Sequence, residues 1–187
     1  MRQRRRTVMA CSGLLLAGVV GLGAGVRTAA QTPPAAVTEP MAARSILPSG
    51  LGDAVDREVA RLNAATARFR SSSAAIAAGF EEQTNCVQHQ PHGAMGYHFD
   101  HPGLRDATLD VEKPEVLVYE KRPDGTLQLN GVEFVVPFSA WSKPEPPTIM
   151  GQPLKRADAL GFYYLHVWSE TVNPSGLFAD WNPNVKC

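Results

Sequence analysis

Histidine is the residue type in this chain best suited to metal or acid–base chemistry, and four of its five copies lie between Asn85 and His101. The imidazole ring binds transition metals and titrates near neutral pH. The four form two pairs with a spacing of three residues, His89 with His92 and His98 with His101. Prolines and glycines in this stretch exclude a regular helix that would bring each pair onto one face. Spacing alone therefore does not define a site, and loop histidines such as His89 and His92 are by default exposed and unliganded.

His98 and His166 differ from these because strands should give their side chains a defined direction. The sequence around His98 is typical of a β-strand, and alternation places His98 on the face opposite Tyr97 and Phe99. His166 lies in a second apolar strand. On one face it has aromatic neighbours, namely Phe162, Tyr164 and Trp168. A histidine in such surroundings either is a core residue bonded to a backbone carbonyl or lines a pocket.

Two glutamates in predicted strands could complete a site with these histidines. Glu133 alternates with apolar residues, and Glu120 ends the preceding strand. For both residues, a solvated face of the sheet is the alternative location. Two imidazoles and one carboxylate form a ligand set that suits zinc, copper or non-haem iron, with open positions for water. The same groups without a metal could act as a general acid–base pair. Further candidate ligands are His101, His92 and Asp100.

The amino terminus has the features of an export signal. Residues 1–30 carry a positive start, an uncharged run and small residues at the end, which predicts cleavage by a signal peptidase. Arg5 and Arg6 favour the twin-arginine route over the Sec route, and an uncleaved anchor is the alternative. We expect a periplasmic or extracellular protein with no membrane association after cleavage. Residues 31–50 are rich in proline and predict a disordered linker.

Charge and composition narrow the classes of partner. Five of the 18 Lys and Arg residues precede residue 31, so 13 remain against 18 acidic residues, a net charge of −5. Such a mildly acidic protein without a basic cluster has no electrostatic footprint for nucleic acid. The sequence also lacks the serine elbow, the phosphate-binding glycine loop and the zinc-protease helix motif. A metal ion or a small molecule is the expected partner.

Residues 51–187 predict a single globular domain of the α+β class. Apolar residues recur at helical spacing from Asp53, a predicted N-cap, to Phe80, as one amphipathic helix or as two with a break at 71–73. The pattern then changes to strands, which include a hairpin over 115–138. Asn130 and Gly131 in its returning arm predict a bulge or a second turn. We expect the helix to pack on a curved antiparallel sheet or a small open barrel.

The cysteines predict one disulfide. Cys11 would be removed with the signal, which leaves Cys86 and Cys187. An even number of cysteines in an oxidising compartment most simply indicates a bridge. The rival interpretation makes Cys86 a metal ligand together with His89.

Four segments resemble a family of uncharacterised exported bacterial proteins. They contain the words Met-Gly-Tyr-His and Ala-Asp-Trp-Asn-Pro-x-Val-x-Cys, and they span 93–99, 114–120, 131–134 and 178–187. The resemblance implies export and a single domain from about residue 55 to the end, and it implies no activity. The cupin pattern is not matched, because the residue two after His98 is Asp100 where a cupin has a second histidine.

These observations favour an exported metal-binding protein or a small metalloenzyme, with His98, His166 and either Glu133 or Glu120 as ligands. The alternative is a non-catalytic binding module whose pocket, lined by Phe162, Tyr164 and Trp168, holds an apolar or sugar-like ligand. A structural protein of the cell envelope is a third hypothesis.

Overall fold

The computed structural model describes residues 47–83 and 85–187. The predicted signal at 1–30 and most of the predicted linker at 31–50 lie outside these residues. Within the described part, no helix has the length and apolar character needed to cross a membrane. At the end of the predicted linker, Leu47 packs against the core, and the backbone N–H of Ser49 donates a hydrogen bond to Asp56 at 2.9 Å.

Two α-helices open the described part of the chain. Helix α1 spans Asp53–Thr66, a 3-10 turn spans Ala67–Arg70, and helix α2 spans Ser72–Ala77. Gly52, and not the expected Asp53, is the N-cap of α1. Between the helices, Ser71 has an extended backbone, so the apolar periodicity belongs to two helices separated by a break.

An antiparallel sheet makes up most of the remaining structure. Its strands are β1 (Glu81–Glu82), β2 (Val87–His89), β3 (Gly93–Asp100), β4 (Val116–Lys121), β5 (Leu127–Pro137), β8 (Lys155–Ala157) and β9 (Phe162–Val167). The order across the sheet is β1-β3-β4-β5-β9-β8, and β2 also pairs with β3. Strands β6 (Thr148–Ile149) and β7 (Gln152–Pro153) form a separate small hairpin. The α+β class is confirmed.

The β4–β5 hairpin contains a bulge at Asn130, where the sequence predicted either a bulge or a second turn. Val118 pairs with Gly131, but the next residue, Tyr119, pairs with Leu129, so Asn130 is the extra residue of β5. A Cβ on Gly131 would overlap the backbone of Val167 in β9. Glycine at this position therefore lets β5 and β9 approach closely beside the bulge.

The two faces of the sheet have different neighbours. One face forms the main core with the helices, in a cluster that includes Val59 and Leu62 of α1 and Leu117, Phe134 and Leu165 of the sheet. On the other face, which we call the second face, Val116, Val118 and Val135 form a smaller cluster with Phe162 and Tyr164. The two faces of the sheet thus carry separate apolar clusters.

The predicted disulfide between Cys86 and Cys187 is confirmed. It joins the last residue of the chain to the segment before β2, and further contacts hold the carboxyl-terminal segment in place. Asn182 and Ala94 exchange two backbone hydrogen bonds, at 3.2 and 3.0 Å. The indole N–H of Trp168 donates to the carbonyl of Ala179 at 2.7 Å. These contacts bring residues 178–182 beside the second face.

Candidate metal site

Three of the predicted ligands lie together on the second face of the sheet. Glu133 in β5 is the direct cross-strand partner of His166 in β9. His98 lies in β3 and pairs with Val118 of β4, which in turn pairs with Gly131 of β5. Since directly paired residues of an antiparallel sheet share a face, these pairings place all three side chains on one side.

His98 and Glu133 are separated by one intervening strand, β4. Strands two positions apart are about 9.6 Å apart, so the two side chains must extend toward each other above β4. Two valines, Val116 and Val118, occupy β4 at this point and leave room for them. Tyr97 and Phe99 contact the main core, as expected for the face opposite His98.

The polar atoms of the three side chains converge on one small volume. The His98 Nε2 atom is 3.7 Å from the Glu133 Oε2 atom. The ring centroids of His98 and His166 are 6.5 Å apart, with the rings at 80° to each other. One candidate ligand atom from each residue lies within 4.8 Å of the other two. We call His98, Glu133 and His166 the His–Glu–His cluster.

His166 is fully buried, and its imidazole ring has no hydrogen bond to the described residues. It has 0% exposure, and neither ring nitrogen has a hydrogen-bond partner among the residues that the structure describes. The core-histidine alternative required a hydrogen bond to a backbone carbonyl, and no carbonyl in the described part of the chain makes one to this ring. Leaving a buried polar group unsatisfied costs about 1–3 kcal/mol. The ring instead stacks on the indole of Trp168, at a centroid distance of 4.4 Å and a tilt of 32°.

Burial also shifts the pKa values of His166 and Glu133. It lowers the pKa of His166 well below the ordinary value of 6.5, and the nearby His98 and Lys155 lower it further. Burial raises the pKa of Glu133, while His98 acts in the opposite direction. His166 is therefore neutral at neutral pH, with a lone pair available to a metal. The raised pKa of Glu133 reflects the cost of an ionised carboxyl group in a buried position, and a cation at this point would lower that cost.

Two ion pairs flank the cluster. Arg105 donates from Nε to Asp100 at 2.6 Å, and Lys155 pairs with Asp180 and also donates to the carbonyl of Phe178 at 3.0 Å. Asp180 is close enough to raise the pKa of Glu133, whereas both cations lower it. Burial, followed by the charges of Asp180 and Glu133, raises the pKa of Tyr164 to about 12. The cluster is therefore flanked by two cations and two carboxylates.

Other candidate ligands lie outside the cluster. Glu120 accepts hydrogen bonds from the side chain of Asn130 at 3.3 Å and from the backbone of Lys186 at 3.2 Å. His101 makes a hydrogen bond between Nε2 and the carbonyl of Ala78 at 3.1 Å. Asp100 is the partner of Arg105. Of the two predicted glutamate ligands, only Glu133 is near the histidines.

The exposed His92 and His89 lie on the β2–β3 hairpin. Their rings stack at a centroid distance of 5.2 Å. His89 also contacts the ring of Trp181 at 5.2 Å. With Cys86 in a disulfide, the rival ligand pair Cys86 and His89 is not formed.

Three charged residues near the cluster were not predicted from the sequence, and these are Arg105, Lys155 and Asp180. Arg105 and Asp180 lie in loops, whose positions depend on long-range packing. For Asp180, the one available signal was its place in the Ala-Asp-Trp-Asn-Pro word, and that resemblance implied only export and a single domain.

Comparisons of the chain with protein-family models, with curated proteins and with solved structures found no match. Any functional conclusion must therefore come from the chemistry of the site.

Proposed function

We propose that this protein is exported and binds one divalent transition metal ion through His98, Glu133 and His166. The observation that carries the proposal is the state of His166, which is fully buried and neutral beside the buried carboxyl group of Glu133, with no hydrogen bond from its ring to any residue in 47–83 or 85–187. A metal ion would give the ring nitrogen a partner and the carboxylate a countercharge. One bound ion thus removes both unfavourable features of the cluster.

The donor set indicates the class of metal. Two imidazole nitrogens and one carboxylate oxygen suit zinc, copper or non-haem iron, and no thiolate is needed. In a tetrahedral zinc site, neighbouring ligand atoms are about 3.3 Å apart, given zinc–ligand distances near 2.0–2.1 Å. The atoms of the cluster lie within 4.8 Å of one another, so adjustments on the order of 1 Å bring them into range.

Three protein ligands also favour a catalytic site over a purely structural one. Structural zinc sites usually have four protein ligands, whereas catalytic sites have three and leave a position for water or substrate. Small parts of the His98 and Glu133 side chains are exposed, 11% and 10%, whereas His166 is fully buried. We therefore propose a small metalloenzyme in which the bound ion activates a water molecule or polarises a substrate.

Export is part of the proposal. The signal-like residues 1–30 support it, and so does the disulfide, since such bonds persist in oxidising compartments. The resemblance to exported bacterial proteins points the same way. We place the mature protein in the periplasm or outside the cell.

The alternative of a non-catalytic binding module has less support from the site. Trp168 has 1% exposure and packs beneath the carboxyl-terminal segment, so it does not line an open pocket. Phe162 and Tyr164 are partly exposed and remain available to a ligand. These two rings lie beside the cluster and fit a substrate site as well as a separate binding site.

Metal content tests the proposal. Protein purified from its native compartment should hold about one transition metal ion per chain, measured by elemental analysis. His98→Ala and His166→Ala should each lower this content, and His92→Ala, a change to an exposed histidine outside the cluster, should not. Circular dichroism establishes that each variant is folded. Full metal content in both cluster variants would show that the proposed ligand set is wrong.

A further inference from the structure

Arg105 is held at the edge of the His–Glu–His cluster with part of its guanidinium group unused. Its Nε atom donates to Asp100, and its Cζ atom lies 5.4 Å from the ring centroid of Phe162. The described residues accept no hydrogen bond from its Nη1 and Nη2 atoms. Because the ion pair and the aromatic ring fix the group, its free edge has a defined position. Paired N–H groups of this kind match the two oxygens of a carboxylate.

A second cation, Lys155, lies on β8, the edge strand beside β9. Lys155 of β8 pairs with Tyr164 of β9, and its Nζ atom is 5.9 Å from the ring centroid of Tyr164. The rings of Phe162 and Tyr164 are 6.4 Å apart and nearly perpendicular. Each cation therefore has its own aromatic ring, and the two rings are neighbours on the second face beside Glu133.

The balance of charge favours an anionic ligand once a metal is bound. Three carboxylates, Glu133, Asp100 and Asp180, face two cations, Arg105 and Lys155, for a net charge of −1. A divalent ion changes this to +1. Since the histidines add no charge when neutral, an anion is then attracted to the site.

We propose that the site takes a small organic acid, whose carboxylate binds the free edge of Arg105 and whose apolar part contacts Phe162 and Tyr164. This inference rests on the proposed metal site. The bound ion supplies the positive charge that attracts an anion, and it is the point at which the ligand would react. Arg105 contacts the substrate in this arrangement, and Lys155 adds to the attraction.

Benzoate is a suitable probe because it joins a carboxylate to an aromatic ring, and benzamide is its uncharged counterpart. Isothermal titration with the metal-loaded protein should show that benzoate binds at least about 10-fold more tightly than benzamide, since a hydrogen bond to a charged group contributes about 1.5–3 kcal/mol. Arg105→Gln should weaken benzoate binding by a similar factor and leave benzamide binding unchanged. Arg105→Lys retains a charge beside Asp100 and should give an intermediate loss.

Arg156 offers a matched control. It also stacks on an aromatic ring, at 4.4 Å from the centroid of Phe138, and it pairs with Asp158 at 2.8 Å. Its strand partner is Tyr163, a residue of the main core, so it lies on the opposite face from the cluster. Arg156→Gln should bind benzoate as the unmodified protein does.

Metal content, measured first, separates the two proposals. If the protein holds about one metal ion, but Arg105→Gln and the unmodified protein bind benzoate equally, the carboxylate site is overturned and the metal site stands. A chain without metal would refute the proposed function. In that case the titration is made with the metal-free protein. Equal benzoate affinity of Arg105→Gln and the unmodified protein would then overturn the carboxylate site as well.

Discussion

Replacing Glu133 with glutamine should have opposite effects on the metal-free and the metal-bound protein. Burial raises the pKa of this carboxyl group. A group whose pKa is higher in the folded state contributes stability at low pH, and this stability is lost as the pH rises through the folded-state pKa. The metal-free Glu133→Gln variant has no such carboxylate to ionise. At pH 8 it should therefore be more stable than the metal-free unmodified protein.

With metal, the order should reverse. An ion present at 100 times its dissociation constant stabilises the folded protein by about 2.7 kcal/mol. For a chain of this size, that corresponds to a rise in melting temperature of about 5–10 °C. We expect loss of a ligand to weaken binding at least about 100-fold, since loss of an outer-shell partner alone costs about 10–100-fold. At the same metal concentration, the stabilisation of the variant then falls to about 0.4 kcal/mol or less.

Thermal unfolding followed by circular dichroism, with chelator and with added metal, measures both effects. Glu120→Gln is the control, because Glu120 is the other predicted glutamate ligand and is hydrogen-bonded to Asn130 and Lys186 outside the cluster. Its variant should keep the full metal-dependent rise in melting temperature. Equal metal-dependent stabilisation of Glu133→Gln and the unmodified protein would refute the reasoning.

Three further predictions concern the fold around the site. Burial raises the pKa of Glu115 to about 8, so the free energy of unfolding should fall as the pH rises from 4.5 through about 8, and Glu115→Gln should remove this dependence in urea titrations at several pH values. Replacing both Cys86 and Cys187 with serine should lower the free energy of unfolding by about 2–5 kcal/mol, and an unchanged urea midpoint would contradict this. Trp168→Phe removes the hydrogen bond to Ala179 and should lower the melting temperature while changing the metal-dependent rise little, as paired thermal scans with and without metal would show.

The local sequence pattern was sufficient to predict which way the side chains of His98 and His166 point. Alternation along a strand depends on each residue's immediate neighbours, so it placed His98 opposite Tyr97 and Phe99, and His166 opposite Leu165. The disulfide could also be predicted, because the predicted export left two cysteines. These inferences need no knowledge of which strands are neighbours.

The choice between Glu120 and Glu133 did need that knowledge. Residues 118 and 120 of β4 point to the same side, so alternation places Glu120 on the second face together with Glu133. Which glutamate meets His166 depends on the register of β5 against β9. That register is set by packing between distant segments and by the close approach at Gly131, neither of which can be read from a single strand.

The charged residues around the cluster were missed for the same reason. Arg105 reaches the site from the loop after β3, and Asp180 from a segment held by Trp168 and the disulfide. Their positions follow from the fold as a whole. A sequence pattern could only indicate that the segment of Asp180 packs against the core.

Anomalous diffraction from crystals of the metal-loaded protein tests the central claim most directly. Data collected on both sides of the absorption edge of the bound metal should show one peak, about 2.0–2.2 Å from a ring nitrogen of His98, a ring nitrogen of His166 and a carboxylate oxygen of Glu133. A metal-loaded protein whose anomalous peak lies away from these three residues, or that shows no peak, would contradict the account.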